Sequence, residues 1–312
     1  MIRILSAIIS VLLFFGSAGI TPYELKDKDN IRFSAVILSD MHVETNNPSR
    51  FSKDGGTLAG VYAGGNVPDV LAFAGDNTMN GQVLEWFDFY GFVNRFNKGS
   101  DVLVSFGNHD FGNTDDTEVY ARLSKRCIDS YNYYCRKNID KVYYSADYGN
   151  IRFIILGSDN NAADTLQIIS DEQIAFLSSE LTQCKEKGIH AVVINHNLIR
   201  GKNGRQSYFS FNLTDNNDAL ENALVSSGAD VIYVCGHSHF GLSDSTVNTE
   251  GKVTYINLPS AGNDGNYGTD SEECSSHGLG MLLELYDSRI EISFKNFAKG
   301  TSVDDYSVTL EF

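Results

Sequence analysis

At 312 residues, with 42% hydrophobic and 21% charged residues, the chain can build a sizeable core and falls outside the disordered and fibrous classes. Its formal charge of −16 excludes avid binding to nucleic-acid polymers or anionic membranes through a general basic surface. A small anionic substrate stays open, because bound divalent cations reverse the local sign.

The first predicted element is a leader. Met1-Ile2-Arg3, the apolar run from Ile4 to Phe15 and the small residues Gly16-Ser17-Ala18-Gly19 form the three parts of a secretory signal. The run is short for a membrane span, and no later stretch is apolar enough to cross one. The expectation is a signal peptide over residues 1–19, a single domain over 20–312, and a secreted or extracytoplasmic protein: periplasmic, or on a secretory or lysosomal route in a eukaryote.

Beyond it, short β-branched runs bounded by Gly, Asp or Asn read as buried strands: Ala35 to Leu38, Val70 to Phe73, Val102 to Ser105, Arg152 to Leu156, Ala191 to Ile194 and Val231 to Val234. Helical patterns lie between them. Val83 to Phe96 carries Leu84, Phe87, Phe92 and Phe96 at roughly helical spacing. Asp171 to Lys187 has Ser170 to cap it, acids in its first turn and Gly188 to close it. Asp218 to Ser226 is a shorter candidate. Thr254 to Asn257, Met281 to Tyr286, Arg289 to Phe294 and Ser307 to Phe312 read as further strands. Strand–helix alternation followed by strands predicts an α/β fold with packed sheets and helices outside.

An oxidising compartment permits disulfides. Of the five cysteines, Cys127 and Cys135 are the best pair, and Cys235 reads as a buried small hydrophobe. No CxxC pair exists to support a zinc–thiolate cluster. Asn212-Leu213-Thr214 is a glycosylation sequon, meaningful on a eukaryotic secretory route.

The chemistry concentrates where the predicted strands end. Ser39-Asp40-Met41-His42, Ala74-Gly75-Asp76-Asn77, Gly107-Asn108-His109-Asp110, Asn195-His196-Asn197 and Gly236-His237-Ser238-His239 each follow an apolar run. Ligands of open α/β sheets bind beyond the carboxyl ends of strands. Each piece alone is ordinary turn chemistry. Together they bring many ionisable groups to one place, which is costly unless cations pair them. Mixed carboxylate, imidazole and amide ligands suit Mn, Fe or Zn.

The series Asp40-x-His42, Gly75-Asp76, Gly107-Asn108-His109-Asp110, His196 and Gly236-His237-x-His239 resembles the calcineurin-like metallophosphoesterases, over about residues 34–240. The resemblance implies a four-layer α-β-β-α sandwich of the metallo-dependent phosphatase type. It implies two divalent or trivalent metal ions, one held by Asp40, His42, Asp76 and His239, the other by Asp76, Asn108, His196 and His237, with Asp76 bridging. It further implies hydrolysis of a small phosphoester, in which a metal-bridging hydroxide attacks phosphorus and His109 protonates the leaving group as general acid. Whether the ester is a mono- or a diester stays open, and no protein partner is indicated.

Departures narrow the class. Met79, three residues past Asp76, stands where purple acid phosphatases place an iron-binding Tyr, and Met79-Asn80 replaces the Asp-Arg pair of the Ser/Thr phosphatases. Asp110 is shared with phosphodiesterase-like members. Asn80 is a supporting residue or a turn residue. Arg200, Lys202 and Arg205 follow His196, and Tyr208, Phe209 and Phe211 follow them; either they meet a substrate or they form a solvated loop and core packing. The long stretch Gly262 to Gly280, with Asn263, Asp264, Asn266 and His277, reads as a loop near the site. Arg200, Arg205 and His277 are thus substrate-contact candidates, whereas His190, opening a strand, reads as structural. A binuclear hydrolase of C–N or C–O bonds fits less well, because that class opens on His-x-His or His-x-Asp. The alternative from a different class is a secreted metal-binding or adhesion protein with a non-catalytic site.

Overall fold

The computed structural model describes residues 20–25, 27–114, 116–158, 167–210 and 213–312. The predicted leader, Asn212 of the sequon and Phe211 lie outside the described residues.

Two six-stranded mixed sheets form the centre. The first takes the order β12-β11-β10-β1-β2-β3, built from β1 (Phe33–Leu38), β2 (Val70–Ala74), β3 (Asp101–Ser105), β10 (Leu279–Leu285), β11 (Arg289–Asn296) and β12 (Thr301–Glu311). The second takes the order β4-β5-β6-β7-β9-β8, from β4 (Tyr144–Tyr148), β5 (Ile151–Ile155), β6 (His190–Ile194), β7 (Val231–Cys235), β8 (Val247–Glu250) and β9 (Val253–Asn257). β1, β2 and β3 run parallel, as do β5, β6, β7 and β9.

Period-two alternation along these strands separates the layers. Ala35 and Ile37 of β1 share one core with Val192 and Ile194 of β6 and with Ile232 and Val234 of β7, so the two sheets pack face to face. Val36 and Leu38 point the other way. They meet α1 (Pro48–Val61), α2 (Val83–Phe96) and α3 (Thr117–Cys135) through Leu58, Trp86, Phe89 and Tyr131. Ala191 and Val193 likewise meet α4 (Asp171–Lys187) and α5 (Asn217–Ser226) through Leu177, Leu181 and Leu220. The result is the expected four-layer arrangement of helices, two sheets and helices.

The predicted boundaries of α2 and α4 are reproduced, including the Ser170 cap, whose Oγ accepts from Gln173 N, and Gly188 at φ 64°. α1 was hidden by Gly55, Gly56 and Gly60. It forms because Asn47 caps it, Pro48 opens it and its small residues admit close packing: a Cβ on Gly60 would stand 1.8 Å from Phe297 O. Cys127 and Cys135 correct the disulfide expectation. Both are free and lie on α3. Eight residues of helix separate them by about 12 Å along the axis, beyond the roughly 7 Å Cα limit for a bridge.

Candidate metal centre

β1, β2 and β3 from one sheet and β6 and β7 from the other end at the same edge of the sandwich, each followed by one of the polar motifs. The turns knit together through their backbones. Asp40 N donates to Gly75 O (3.0 Å), His42 N to Asp76 O (2.8 Å) and Val43 N to Asn77 O (3.0 Å), while Gly236 N donates to His196 O (3.0 Å).

Glycines make room for this. A Cβ on Gly75 would meet His196 Nδ1 at 2.5 Å, and one on Gly236 would meet Ser39 Oγ at 1.9 Å and Asp40 Oδ2 at 2.3 Å. The ligand-type residues themselves take strained backbone. Asp40 (φ 53°), His42 (φ 50°), Asp76 (φ 50°), His237 (φ 65°) and His239 (φ 52°) all occupy the left-handed region, at about 1–3 kcal/mol each.

Three overlapping clusters result: Asp40, His42 and His239; His42, Asp76 and His109; and Asp76, His196 and His237. Each carboxylate has one oxygen tied to the protein and one turned to the imidazoles. Asp40 Oδ2 accepts from Ser39 Oγ (2.5 Å) and His237 N (3.0 Å), while its Oδ1 lies 3.1 Å from His239 Nε2. Asp76 Oδ1 accepts from His109 N (2.9 Å). Its Oδ2 stands 3.1 Å from His196 Nε2 and 3.7 Å from His42 Nε2, between the two groups of ligands. Asp40, His42, Asp76, Asn108 and His196 are buried; His109, His237 and His239 are half-buried at the mouth.

Burial alone would raise the Asp40 carboxyl, yet His239, His42 and His196 together hold the group well below the usual carboxylate range. Asp76 is lowered in the same way, against its burial, by His196, His42 and His109. Burial lowers His196, but Asp76 beside it wins and pushes the imidazole up to about 9. His42, where burial dominates, falls to about 4. A centre that draws positive charge this strongly suits cations.

Two further observations fit that chemistry. Asn108 Oδ1 is buried without a hydrogen-bond partner, while Asn108 Nδ2 donates to Asn113 Oδ1 (2.5 Å), so the free acceptor is the atom a hard cation takes. His196 Nδ1 donates to Ala74 O (2.8 Å), which turns Nε2 toward Asp76 Oδ2 and His237 Nδ1, 3.1 Å from each. A proton or a cation fits among those three atoms.

All eight residues expected at the centre are therefore brought together. His109 Nδ1 donates to Met79 O (2.8 Å), and the ring packs edge-on to His42 with centroids 4.7 Å apart. His277 pairs with Asp264 (2.5 Å). Arg200 and Arg205 are exposed, Arg205 lying over Phe209 at 5.9 Å. Lys202 is committed to Glu221 and Glu250, 2.7 Å from each. Asn80 bonds Glu85, in the first turn of α2, through its backbone N (2.9 Å) and Nδ2 (3.0 Å).

Sequence reasoning missed Ser39, Asn113 and Arg50. Asn263 was placed only in a loop near the site; its Nδ2 lies 2.8 Å from His239 Nδ1, and its Oδ1 accepts from Arg50 Nη2. None of them belongs to a repeated spacing.

Comparison with known proteins agrees with this architecture. The family model for calcineurin-like phosphoesterases matches residues 33–241. A dimetal phosphatase from Danio rerio is 13% identical, with a TM-score of 0.65 over 90% of this chain and 99% of that one. A purple acid phosphatase from yellow lupin (Lupinus luteus) seeds is 16% identical, with a TM-score of 0.61 over 89% of this chain and 53% of that one, so this chain spans about half the lupin enzyme. At such identities the likeness is one of fold. No curated protein matches the chain in sequence. The matched segment, which carries every motif of the centre, shows that the chain belongs to the calcineurin-like phosphoesterases.

Proposed function

We propose that the chain hydrolyses a small phosphoester at two cation positions. Asp40, His42 and His239 would hold one, and Asn108, His196 and His237 the other, with Asp76 shared. The observation that carries this reading is the placement of Asp76 Oδ2, 3.1 Å from His196 Nε2 and 3.7 Å from His42 Nε2. Bound there, two divalent cations supply Lewis acidity and an activated water.

The chain's own groups do the rest. Asn108 orients its free Oδ1 by donating from Nδ2 to Asn113. His109 keeps its Nδ1 proton on Met79 O, which leaves Nε2 as the nitrogen that exchanges a proton with the leaving oxygen. Met79 contributes this through its carbonyl, so the missing Tyr or Asp at position 79 leaves the general acid supported.

The test is hydrolysis of p-nitrophenyl phosphate and bis-p-nitrophenyl phosphate by metal-stripped protein reloaded with Mn²⁺. Turnover of at least one ester by the wild type, abolished in Asp76→Ala, is expected. Tight Mn²⁺ binding with no turnover of either ester would favour the non-catalytic alternative.

A further inference from the structure

Asn263 joins the centre to α1. Its Nδ2 lies 2.8 Å from His239 Nδ1, and its Oδ1 accepts from Arg50 Nη2. Arg50 is half-buried in the first turn of α1, so its guanidinium stands one amide away from the His239 ring. A guanidinium is a planar fork of N–H donors that carries a permanent positive charge. Here its partner is the neutral oxygen of Asn263. Among the described residues, no carboxylate forms an ion pair with Arg50. The acids around it are engaged elsewhere. Asp264 pairs with Lys53 and His277. Glu44 accepts from Asn47 Nδ2 (3.1 Å). Asp54, four residues further along α1, is fully buried, and burial pushes its carboxyl up.

Helix stability does not account for a cation at this place. The first turn of α1 holds no acid, and the positive end of a helix disfavours a positive side chain. The chain as a whole is rich in acids, with a formal charge of −16. A guanidinium kept without a counter-ion beside the mouth of the centre is therefore a place for an anion that comes from outside the chain.

We propose that Arg50 binds a second anionic group of the substrate, a carboxylate or another phosphate, on the His239 side of the mouth. The proposal rests on the phosphoester reading above and names its substrate class: esters that carry a further anion a few bonds from the phosphorus. The negative field of the chain opposes such a group everywhere else. Arg50 offsets that field at one point, and its fork matches two oxygens of a carboxylate or phosphate. Asn263 holds the fork by accepting from Nη2, which leaves the remaining N–H groups to the ligand.

Lys53 supplies the control. It lies about one turn further along α1 and carries the same charge, but it is paired with Asp264.

The experiment measures competitive inhibition, at saturating Mn²⁺, of whichever p-nitrophenyl ester the full-length protein cleaves. Glycerol 3-phosphate is the reference inhibitor. 3-Phosphoglycerate replaces its terminal CH₂OH by a carboxylate, and glycerol 1,3-bisphosphate carries a second phosphate there, so the two arms separate the two kinds of anion. The wild type should bind at least one of them about 10- to 100-fold tighter than the reference, the usual worth of hydrogen bonds to a charged group. Arg50→Ala should abolish the preference. Arg50→Gln should abolish it too, because Gln still donates to Asn263 but has no charge. Arg50→Lys should keep part of it, and Lys53→Ala should retain it. The readout is a ratio of inhibition constants, so a general effect on the centre through Asn263 cancels. A wild type that prefers neither anion, a preference that survives both Arg50→Ala and Arg50→Gln, or an equal loss in Lys53→Ala would each overturn the subsite. A protein that cleaves neither p-nitrophenyl ester sinks the phosphoester reading itself, which separates the two failures.

Discussion

Gly107 meets Asp76 so closely that a methyl on its Cα would stand 2.3 Å from the carboxylate Oδ1 and 2.7 Å from His196 Cδ2. Its backbone angle is not one that demands glycine, so the requirement is purely one of space. Gly107→Ala is expected to displace Asp76 and His196 together, lowering Mn²⁺ affinity and costing about 1–3 kcal/mol in stability, the usual range for overpacking. Gly56 makes the contrast. It lies inside α1, where a methyl on its Cα would meet nothing within 4 Å. Gly56→Ala should therefore stabilise by about 0.5–1 kcal/mol. Thermal unfolding of both variants checks the pair, and equal effects would contradict the close contact.

His109 has its Nδ1 bonded to the Met79 carbonyl and its ring half-buried at the mouth. His109→Ala should lower kcat by about 10²–10⁴, the usual worth of a positioned general acid, with two metals still bound. Elemental analysis of the variant decides the point. Loss of one metal would make His109 a ligand, which its closeness to His42 and Asp76 allows geometrically.

The strand ends of the centre were legible because each is a β-branched run broken by a short polar motif, a pattern that survives in one dimension. Val36 and Ile37 leading into Asp40, or Val193 and Ile194 leading into His196, need no tertiary information to be read. What supports those motifs was not legible. Ser39 bonds its neighbour Asp40 in a space that Gly236 leaves open, and Arg50 reaches the Asn263 loop from α1. Both are single polar residues, and the surroundings that give them a role come from distant parts of the chain. α1 escaped for a related reason: its glycines weaken local helix propensity and are used for packing against Phe297. β4 escaped because its alternation between partly and fully exposed positions is that of a solvent-facing edge strand.

Asp54 supplies a pH-dependent prediction away from the centre. It is fully buried in α1, and neither carboxylate oxygen has a hydrogen-bond partner. Burial pushes its carboxyl well above the usual range, with Arg50 and Lys53 pulling the other way. The unfolded chain loses this proton near pH 4, whereas the folded chain retains it, so the folded state binds more protons and stability falls as pH rises above that value. Each unit by which the group is raised corresponds to about 1.4 kcal/mol. Asp54→Asn removes the titration. The variant should melt at a higher temperature than the wild type at pH 8, and the two curves should converge as the pH approaches 4. A constant difference across that range would show that Asp54 is not the titrating group.

Asp110 closes the third motif and has the sequence character of a substrate signal, but its surroundings make it a strut. It is fully buried. Its Oδ1 accepts from Thr78 N (2.9 Å) and Thr78 Oγ1 (2.8 Å), and its Oδ2 from Gly107 N (3.0 Å), Asn77 N (3.2 Å) and Asn77 Nδ2 (2.9 Å). These bonds join the turn after β2 to the turn after β3, and thereby set Asp76 against Asn108. Asp110→Asn keeps the shape but turns an NH₂ toward groups that already donate. Each donor left without an acceptor costs about 1–3 kcal/mol, so the variant should be clearly destabilised. The ratio of p-nitrophenyl phosphate to bis-p-nitrophenyl phosphate turnover should stay at the wild-type value, because no atom of Asp110 is exposed to substrate. A changed ratio with unchanged melting temperature would return Asp110 to the substrate side of the centre.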